Sequence, residues 1–220
     1  MEIHPFVLGS FEVSAYVVIA DGRACHGVAL ARRAAIVDAP EGSEAIVAFC
    51  DARGLTPDIL INTHGHGDHI FANALFRKRW PEMEIAIGKP DGPMLGSPLR
   101  NLSAVMGSWT KSPKADRLLE DGDRIEVGEA VLKVLATPGH TRGGISLYTP
   151  EGPDGRPVVF TGDALFADGI GRTDFPGSSH KTLLESIRKR LLALPPETVV
   201  YPGHGPPTTV GEESRSNPWL

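Results

Sequence analysis

Apolar and polar positions along the first forty residues follow the short period of β-strands. Phe11 to Ala20 is rich in Val, Ile and Tyr, Gly27 to Ala31 is apolar, and Ala34 to Asp38 closes before Pro40. Together they predict an antiparallel meander. The period then lengthens: Ala45, Ile46, Ala48 and Phe49 sit at helical spacing within Glu41 to Arg53, and Gly54 ends the run. Asp58 to Asn62 is a short apolar strand that delivers the chain into Thr63-His64-Gly65-His66-Gly67-Asp68-His69. Ile70, Phe71, Ala74 and Leu75 restore the helical period and predict one helix over Asp68 to Trp80. Its last turn carries Arg77, Lys78 and Arg79, which complement the helix dipole. The segment Pro90 to Pro113, with its Pro, Gly, Ser and Met, predicts short helical turns.

The second half follows the same order. Arg124 to Val127, Val131 to Ala136, Gly144 to Tyr148 and Pro157 to Thr161 predict strands with turns at Gly128-Glu129 and Gly152 to Gly155. A helix follows with Ser178 or Ser179 as its cap, an apolar stripe of Leu183, Leu184, Ile187, Leu191 and Leu192, and a stop at Pro195-Pro196. Thr198 to Tyr201 is a last strand leading into Pro202-Gly203-His204-Gly205. This succession predicts a mixed α/β chain of two similar halves, with helices outside two face-to-face sheets.

Composition narrows the class more than the fold. The 220 residues are expected to form one domain over residues 1–220, since a chain of that length buries a full core. A charged fraction of 22% and a net charge of -5 argue against a phosphate-backbone partner. The start, Met1-Glu2-Ile3-His4-Pro5, shows no signal-peptide pattern, and no stretch stays apolar long enough to span a bilayer. A cytoplasmic location without a membrane partner is expected. Cys25 and Cys50 have no ligand-like spacing and are read as buried free thiols.

The chemistry concentrates in histidine and aspartate. Within the run after Asn62, His64 and His66 are two apart on an extended segment and point the same way, so they can share one metal ion. Asp68 and His69 open the following helix and can face a second ion, with the Asp68 carboxylate at the helix N-terminus. Gly65 and Gly67 remove bulk between ligands and permit a positive φ where the chain bends. His140 in Thr137-Pro138-Gly139-His140-Thr141, Asp163 in Thr161-Gly162-Asp163 and His204 each follow a strand beside a glycine, as ligands on loops at one sheet rim would. Five of the eight histidines belong to this set; His4, His26 and His180 are read as structural or surface residues.

This set of residues, from the first strands to His204, resembles the metallo-β-lactamase superfamily. The resemblance implies a four-layer αββα sandwich. It places His64, His66 and His140 on one metal, Asp68, His69 and His204 on a second, and Asp163 between the two, with Asp68 and Asp163 as the carboxylates of catalysis. Two divalent ions are implied, zinc first by donor type, with iron or manganese compatible. Such a pair shares a hydroxide at working pH and polarises a substrate carbonyl.

Gly162-Asp163-Ala164-Leu165-Phe166, followed by Gly171-Arg172-Thr173-Asp174-Phe175, is similar to the glyoxalase II group, as is Tyr201-Pro202-Gly203-His204-Gly205-Pro206. That similarity implies a hydroxyacylglutathione hydrolase acting on a small-molecule thioester, S-D-lactoylglutathione or a like acyl thioester. Arg172 stands where the group has a basic residue near the glutathione carboxylate; an ion pair with Asp174 or Asp168 is the structural alternative. Two contacts of longer members are not carried over: few residues follow His204, and Pro206 stands where those members have tyrosine. Two rivals share the frame: a mononuclear iron persulfide dioxygenase, whose members differ by an aspartate where this chain has Gly205, and a lactonase or other hydrolase of the same fold.

Overall fold

The computed structural model describes residues 1–25 and 28–220, and the side chains of all of these except 23–25 and 28–31. His26 and the Gly27 end of the second predicted strand lie outside the described residues, as does the side chain of Cys25. The first half contains β1 (Glu2–Leu8), β2 (Val13–Cys25), β3 (Val28–Val37), α1 (Glu44–Ala52), β4 (Pro57–Asn62), α2 (Gly67–Ile70), α3 (Asn73–Arg79), β5 (Glu84–Gly88) and β6 (Arg117–Leu119). The second contains β7 (Arg124–Val127), β8 (Ala130–Ala136), β9 (Ile145–Thr149), β10 (Val158–Gly162), β11 (Leu165–Phe166), β12 (Gly169–Ile170), α4 (His180–Ser186), β13 (Val199–Pro202), β14 (Thr208–Thr209) and α5 (Val210–Ser216).

Two six-stranded sheets result, in the orders β1-β2-β3-β4-β5-β6 and β14-β13-β10-β9-β8-β7, with β11 and β12 as a small hairpin. The strand period of two sorts each strand between two apolar environments. In β2, Tyr16, Val18 and Ala20 enter the cluster between the sheets, where they meet Val134, Leu147 and Phe160 of the second sheet. Ala15, Val17 and Ile19 of the same strand face outward, onto Ile46 and Cys50 of α1 and Phe76 of α3. Across the sandwich, Val158 and Phe160 of β10 point inward while Val159 packs on Leu183 of α4, Ile187 and Leu191. Helices therefore cover both outer faces, and the layers run αββα.

The strands converge on one rim. β4 lies between parallel β3 and β5 and ends at Asn62, immediately before the histidine run. β8, β10 and β13 run in one direction, with β9 antiparallel between the first two, and end just before His140, Asp163 and His204. At this rim the halves are joined by backbone: Ile145 N donates to Thr63 O at 2.9 Å, and Ser14 N to Gly203 O at 2.8 Å. The Tyr16 hydroxyl adds a bond to Pro202 O at 2.6 Å.

Four expectations change in detail. The strands expected at residues 27–31 and 34–38 are, over the described residues, the single strand β3, and the antiparallel meander is completed by β1 instead. The helix predicted over Asp68 to Trp80 is two helices, α2 and α3, broken at Phe71-Ala72. There the backbone turns to the loop after β3 instead: Ala39 N donates to His69 O at 2.8 Å and Ala72 N to Ala39 O at 2.7 Å. Buried Asn62 and Asn73 seal the break with reciprocal amide bonds. The helix after Ser179 relaxes into a π turn over Ile187–Leu191, and Ser179 rather than Ser178 caps it, accepting from Thr182 N. Gly65 and Gly67 have no positive φ; close approach is what excludes a side chain, since a Cβ at either would lie 2.7 Å from the Cβ of Met94 or Ser103. The turns expected in residues 90–113 are present, starting with a 3-10 turn at Lys89–Met94. Among the described residues no helix is long and apolar enough to cross a membrane.

Candidate metal centre

All seven predicted ligand residues meet at the rim. Their donor atoms form three overlapping groups, each within 4.8 Å: His64, His66 and His140; His64, His69 and Asp163; Asp68, His69 and His204. Asp163 sits between the outer two groups. Its Oδ1 is 3.3 Å from His69 Nε2, and its Oδ2 is 3.5 Å from His140 Nε2 and 3.6 Å from His204 Nε2. His66 approaches through Nδ1, 2.9 Å from His140 Nε2.

The surrounding hydrogen bonds fix which nitrogen of each ring faces inward. A carbonyl only accepts, so His140 Nδ1, 2.7 Å from Arg172 O, and His204 Nδ1, 3.0 Å from Phe11 O, must carry their protons. Each Nε2 then presents a bare lone pair to the centre. His69 Nδ1 donates to Asp38 Oδ2 at 2.9 Å, which turns its Nε2 towards the centre. Thr63 Oγ1 gives its single proton to Asp38 Oδ2 at 2.8 Å, so it accepts from His64 Nδ1 at 3.1 Å. His64 Nε2 is left bare, and it, Asp68 Oδ1 and Asp163 Oδ1 are buried without a hydrogen bond. Unpartnered buried polar atoms are costly, and here they point into one shared volume.

Charge gives the same answer. Burial, and next the neighbouring His69, hold the His64 imidazole well below its usual range; burial and His140 bring that of His66 down to about 3. Both are therefore neutral donors at working pH. His69 goes the other way: burial disfavours its charge, but Asp163, Asp38 and Asp68 overcome that and raise it well above its usual range. Burial likewise opposes the Asp163 carboxylate, which His69 and the other histidines nonetheless hold well below the normal carboxylate value. Neutral imidazoles around carboxylates that draw positive charge are what divalent cations require. The residues present fit two such ions.

Two supporting carboxylates escape a reading of the sequence. Asp38, at φ +62° after β3, is buried and binds Thr63 N at 2.8 Å besides its contacts with Thr63 Oγ1 and His69. Its only sequence signal is a charged residue closing an apolar strand. Asp91 accepts from Gly65 N at 3.0 Å and Gly143 N at 2.7 Å, pinning the His64–His66 segment to the loop that carries His140. Gly203 is required by space: a Cβ there would lie 2.3 Å from Asp163 Oδ1 and 2.9 Å from His69 Cε1.

Arg172 contributes its carbonyl to His140, while its side chain is exposed, forks onto Asp174 at 2.6 and 3.0 Å and stacks over Phe175. Of the histidines outside the set, His4 bonds Glu2 at 3.0 Å and packs on Phe49, and His180 lies beside Trp219. Two cavities flank the centre. One, of about 190 Å³ beside Asp68, is lined by Leu8, Phe11, Phe71 and Met106; a larger one, of about 590 Å³, opens beside His66 and His140.

Known proteins place this centre in a family. The model of the metallo-beta-lactamase superfamily matches residues 30–204. Hydroxyacylglutathione hydrolase GloC of Haemophilus influenzae is 35% identical over 195 residues, covering 86% of this chain and 88% of that protein. The crystal structure of BLEG-1 B3 metallo-beta-lactamase superposes with a TM-score of 0.87 at 33% identity, over 100% of this chain and 99% of that one. TTHA1623 in a di-iron-bound form gives 0.83 at 36% identity, over 99% of this chain and 100% of that one. The chain belongs to the metallo-β-lactamase superfamily and is a metal-dependent hydrolase of that fold.

Proposed function

We infer that this chain hydrolyses an acyl thioester of glutathione, with S-D-lactoylglutathione as its reference substrate, at a centre of two divalent cations. The observation that carries the reading is the complete second donor group, Asp68, His69 and His204, beside His64, His66 and His140, with Asp163 between them. The 35% identity to GloC supports the choice of thioester. Bound in these groups, the cations would supply an ionised water and Lewis acidity at a carbonyl. His64, His66 and His140 would hold one, Asp68, His69 and His204 the other, and Asp163 would face both. The nitrogen and carboxylate donors suit zinc, and the di-iron form of TTHA1623 supports iron as the alternative.

The chain's own work is orientation. Asp38 and the carbonyls of Arg172 and Phe11 keep the donor nitrogens of His69, His140 and His204 aimed inward. A thiolate leaves readily and demands little acid catalysis, which matches a site whose inward-facing groups are donors to cations.

Metal analysis of the purified protein, paired with a lactoylglutathione assay, tests the reading. Two metals per chain and turnover are expected. His66→Ala or Asp163→Ala should abolish turnover and lower metal content. One iron per chain, with oxygen uptake on glutathione persulfide, would overturn the hydrolase reading. The match to BLEG-1 favours one competing substrate class, the β-lactams. Faster turnover of a β-lactam than of any thioester would transfer the assignment there.

A further inference from the structure

The larger cavity has a volume suited to a small-molecule ligand and a distinct charge. His66 and His140 form its metal-facing wall; Arg100 and Arg142 line it further out, with Met94 and Leu99 supplying apolar surface. Arg142 is held in place by its backbone. Thr141 and Gly143 on either side are buried, and Gly143 N is fixed to Asp91 at 2.7 Å. The guanidinium stem lies against the turn at Gly177, where a Cβ would be 3.4 Å from its Nε.

Asp91 is the one carboxylate in this lining, and each of its oxygens already accepts a backbone N–H. No carboxylate of the described residues pairs with Arg142 or Arg100. Arg172 differs on both counts: it is forked onto Asp174, and it lines a separate hollow with His180 and Trp219.

The geometry points to a carboxylate-recognition subsite at Arg142, assisted by Arg100, that binds the thiol-carrier end of the substrate. This assignment rests on the thioester reading of the same centre. A free guanidinium offers a fork that matches a carboxylate bidentately, whereas a carboxylate taken up by Arg172 would first have to displace Asp174. The carrier end therefore leaves the centre on the His66–His140 side. The acyl end then faces the smaller, apolar cavity beside Asp68.

The test compares lactoyl thioesters of three carriers on the metal-loaded protein: glutathione, coenzyme A and neutral N-acetylcysteamine. Arg142→Met should lower the ratio of kcat/KM for glutathione over N-acetylcysteamine about tenfold or more, chiefly through KM, the size expected when one charged hydrogen-bonding partner is lost. Arg142→Lys, which keeps the charge but not the fork, should recover part of that ratio. Arg172→Met should shift it less than Arg142→Met does.

Calorimetry with non-hydrolysable S-methylglutathione supplies a readout that needs no turnover, and Arg142→Met should weaken that binding similarly. An unchanged ratio and unchanged binding in Arg142→Met overturns the subsite, as does a larger effect of Arg172→Met. A preference for the coenzyme A thioester that vanishes in Arg142→Met would assign a phosphate there and overturn the carboxylate. If no thioester is hydrolysed but S-methylglutathione binding still depends on Arg142, the subsite stands and the reaction assignment falls.

Discussion

Asp38 touches no position where a metal or substrate would sit, yet it controls two of the imidazoles that do. One oxygen takes the Thr63 backbone N–H, while the other takes the Thr63 hydroxyl and His69 Nδ1. Replacing it with asparagine keeps the shape and removes the charge that favours a donor at His69 Nδ1. Asp38→Asn should weaken metal affinity by about 10- to 100-fold, the usual cost of losing a carboxylate behind a ligating histidine. Titration against a competing chelator measures it, and an unaltered affinity would refute the orienting role. The seven side chains that meet at the rim were legible in the sequence as candidates, four from a strand followed by His-x-His-x-Asp-His, and His140, Asp163 and His204 because each follows a strand beside a glycine. Asp38 and Asp91 were not legible. Their roles depend on contacts 25 and more residues away, to Thr63, Gly65 and Gly143. Arg172 shows the same limit: its position beside the centre was readable, and its fork onto Asp174 was one of two readings that spacing alone left open.

Among elements, the long inner strands were readable from composition, since Val and Ile on both faces mark burial on both sides. The pieces that escaped include short or edge strands, β6 with three residues, β14 with two and β1, whose exposed residues interrupt its apolar positions, but also the inner strand β5, where Glu84 and Gly88 bound only three apolar residues, and the closing helix α5. The break between α2 and α3 escaped for another reason. Helical spacing continues through Phe71 and Ala72, and only the bonds to Ala39 from across the fold divert the backbone. α1 carries a prediction of its own. Its Cys50 is buried against the first sheet, and burial, with Asp51 adding, raises the thiol from 9.0 to about 11. As pH climbs past 9 the unfolded chain releases this proton while the folded chain retains it, so the folded state binds more protons and loses stability over the window from 9 to 11. A Cys50→Ala variant lacks that loss. Denaturant titrations should therefore show the stability gap between wild type and Cys50→Ala narrowing as pH rises from 9 to 11. A constant gap would mean that the thiol ionises alike in both states.

For the molecule as a whole, the question is whether the metal centre holds the sandwich together or merely sits on it. Three apolar clusters lie between the sheets and beneath the helices on either face. The rim is also joined without any ion, by Ile145 N to Thr63 O, Ser14 N to Gly203 O and the Tyr16 hydroxyl to Pro202 O. The sheets therefore have their own reasons to pair. Metal still adds stability by mass action, because it binds the folded chain and not the scattered ligands of the unfolded one. At a free metal level of about a thousand times Kd that contribution is about 4 kcal/mol. For a chain of this length it corresponds to a Tm lower by about 10 °C after chelation. Far-UV circular dichroism at 25 °C should stay the same on chelation while hydrolysis stops, and hydrolysis and Tm should both recover when metal is restored. Collapse of the far-UV signal on chelation would show instead that the rim depends on its ions to fold. The centre would then be a structural one, and hydrolysis would need evidence beyond loss of activity with the metal.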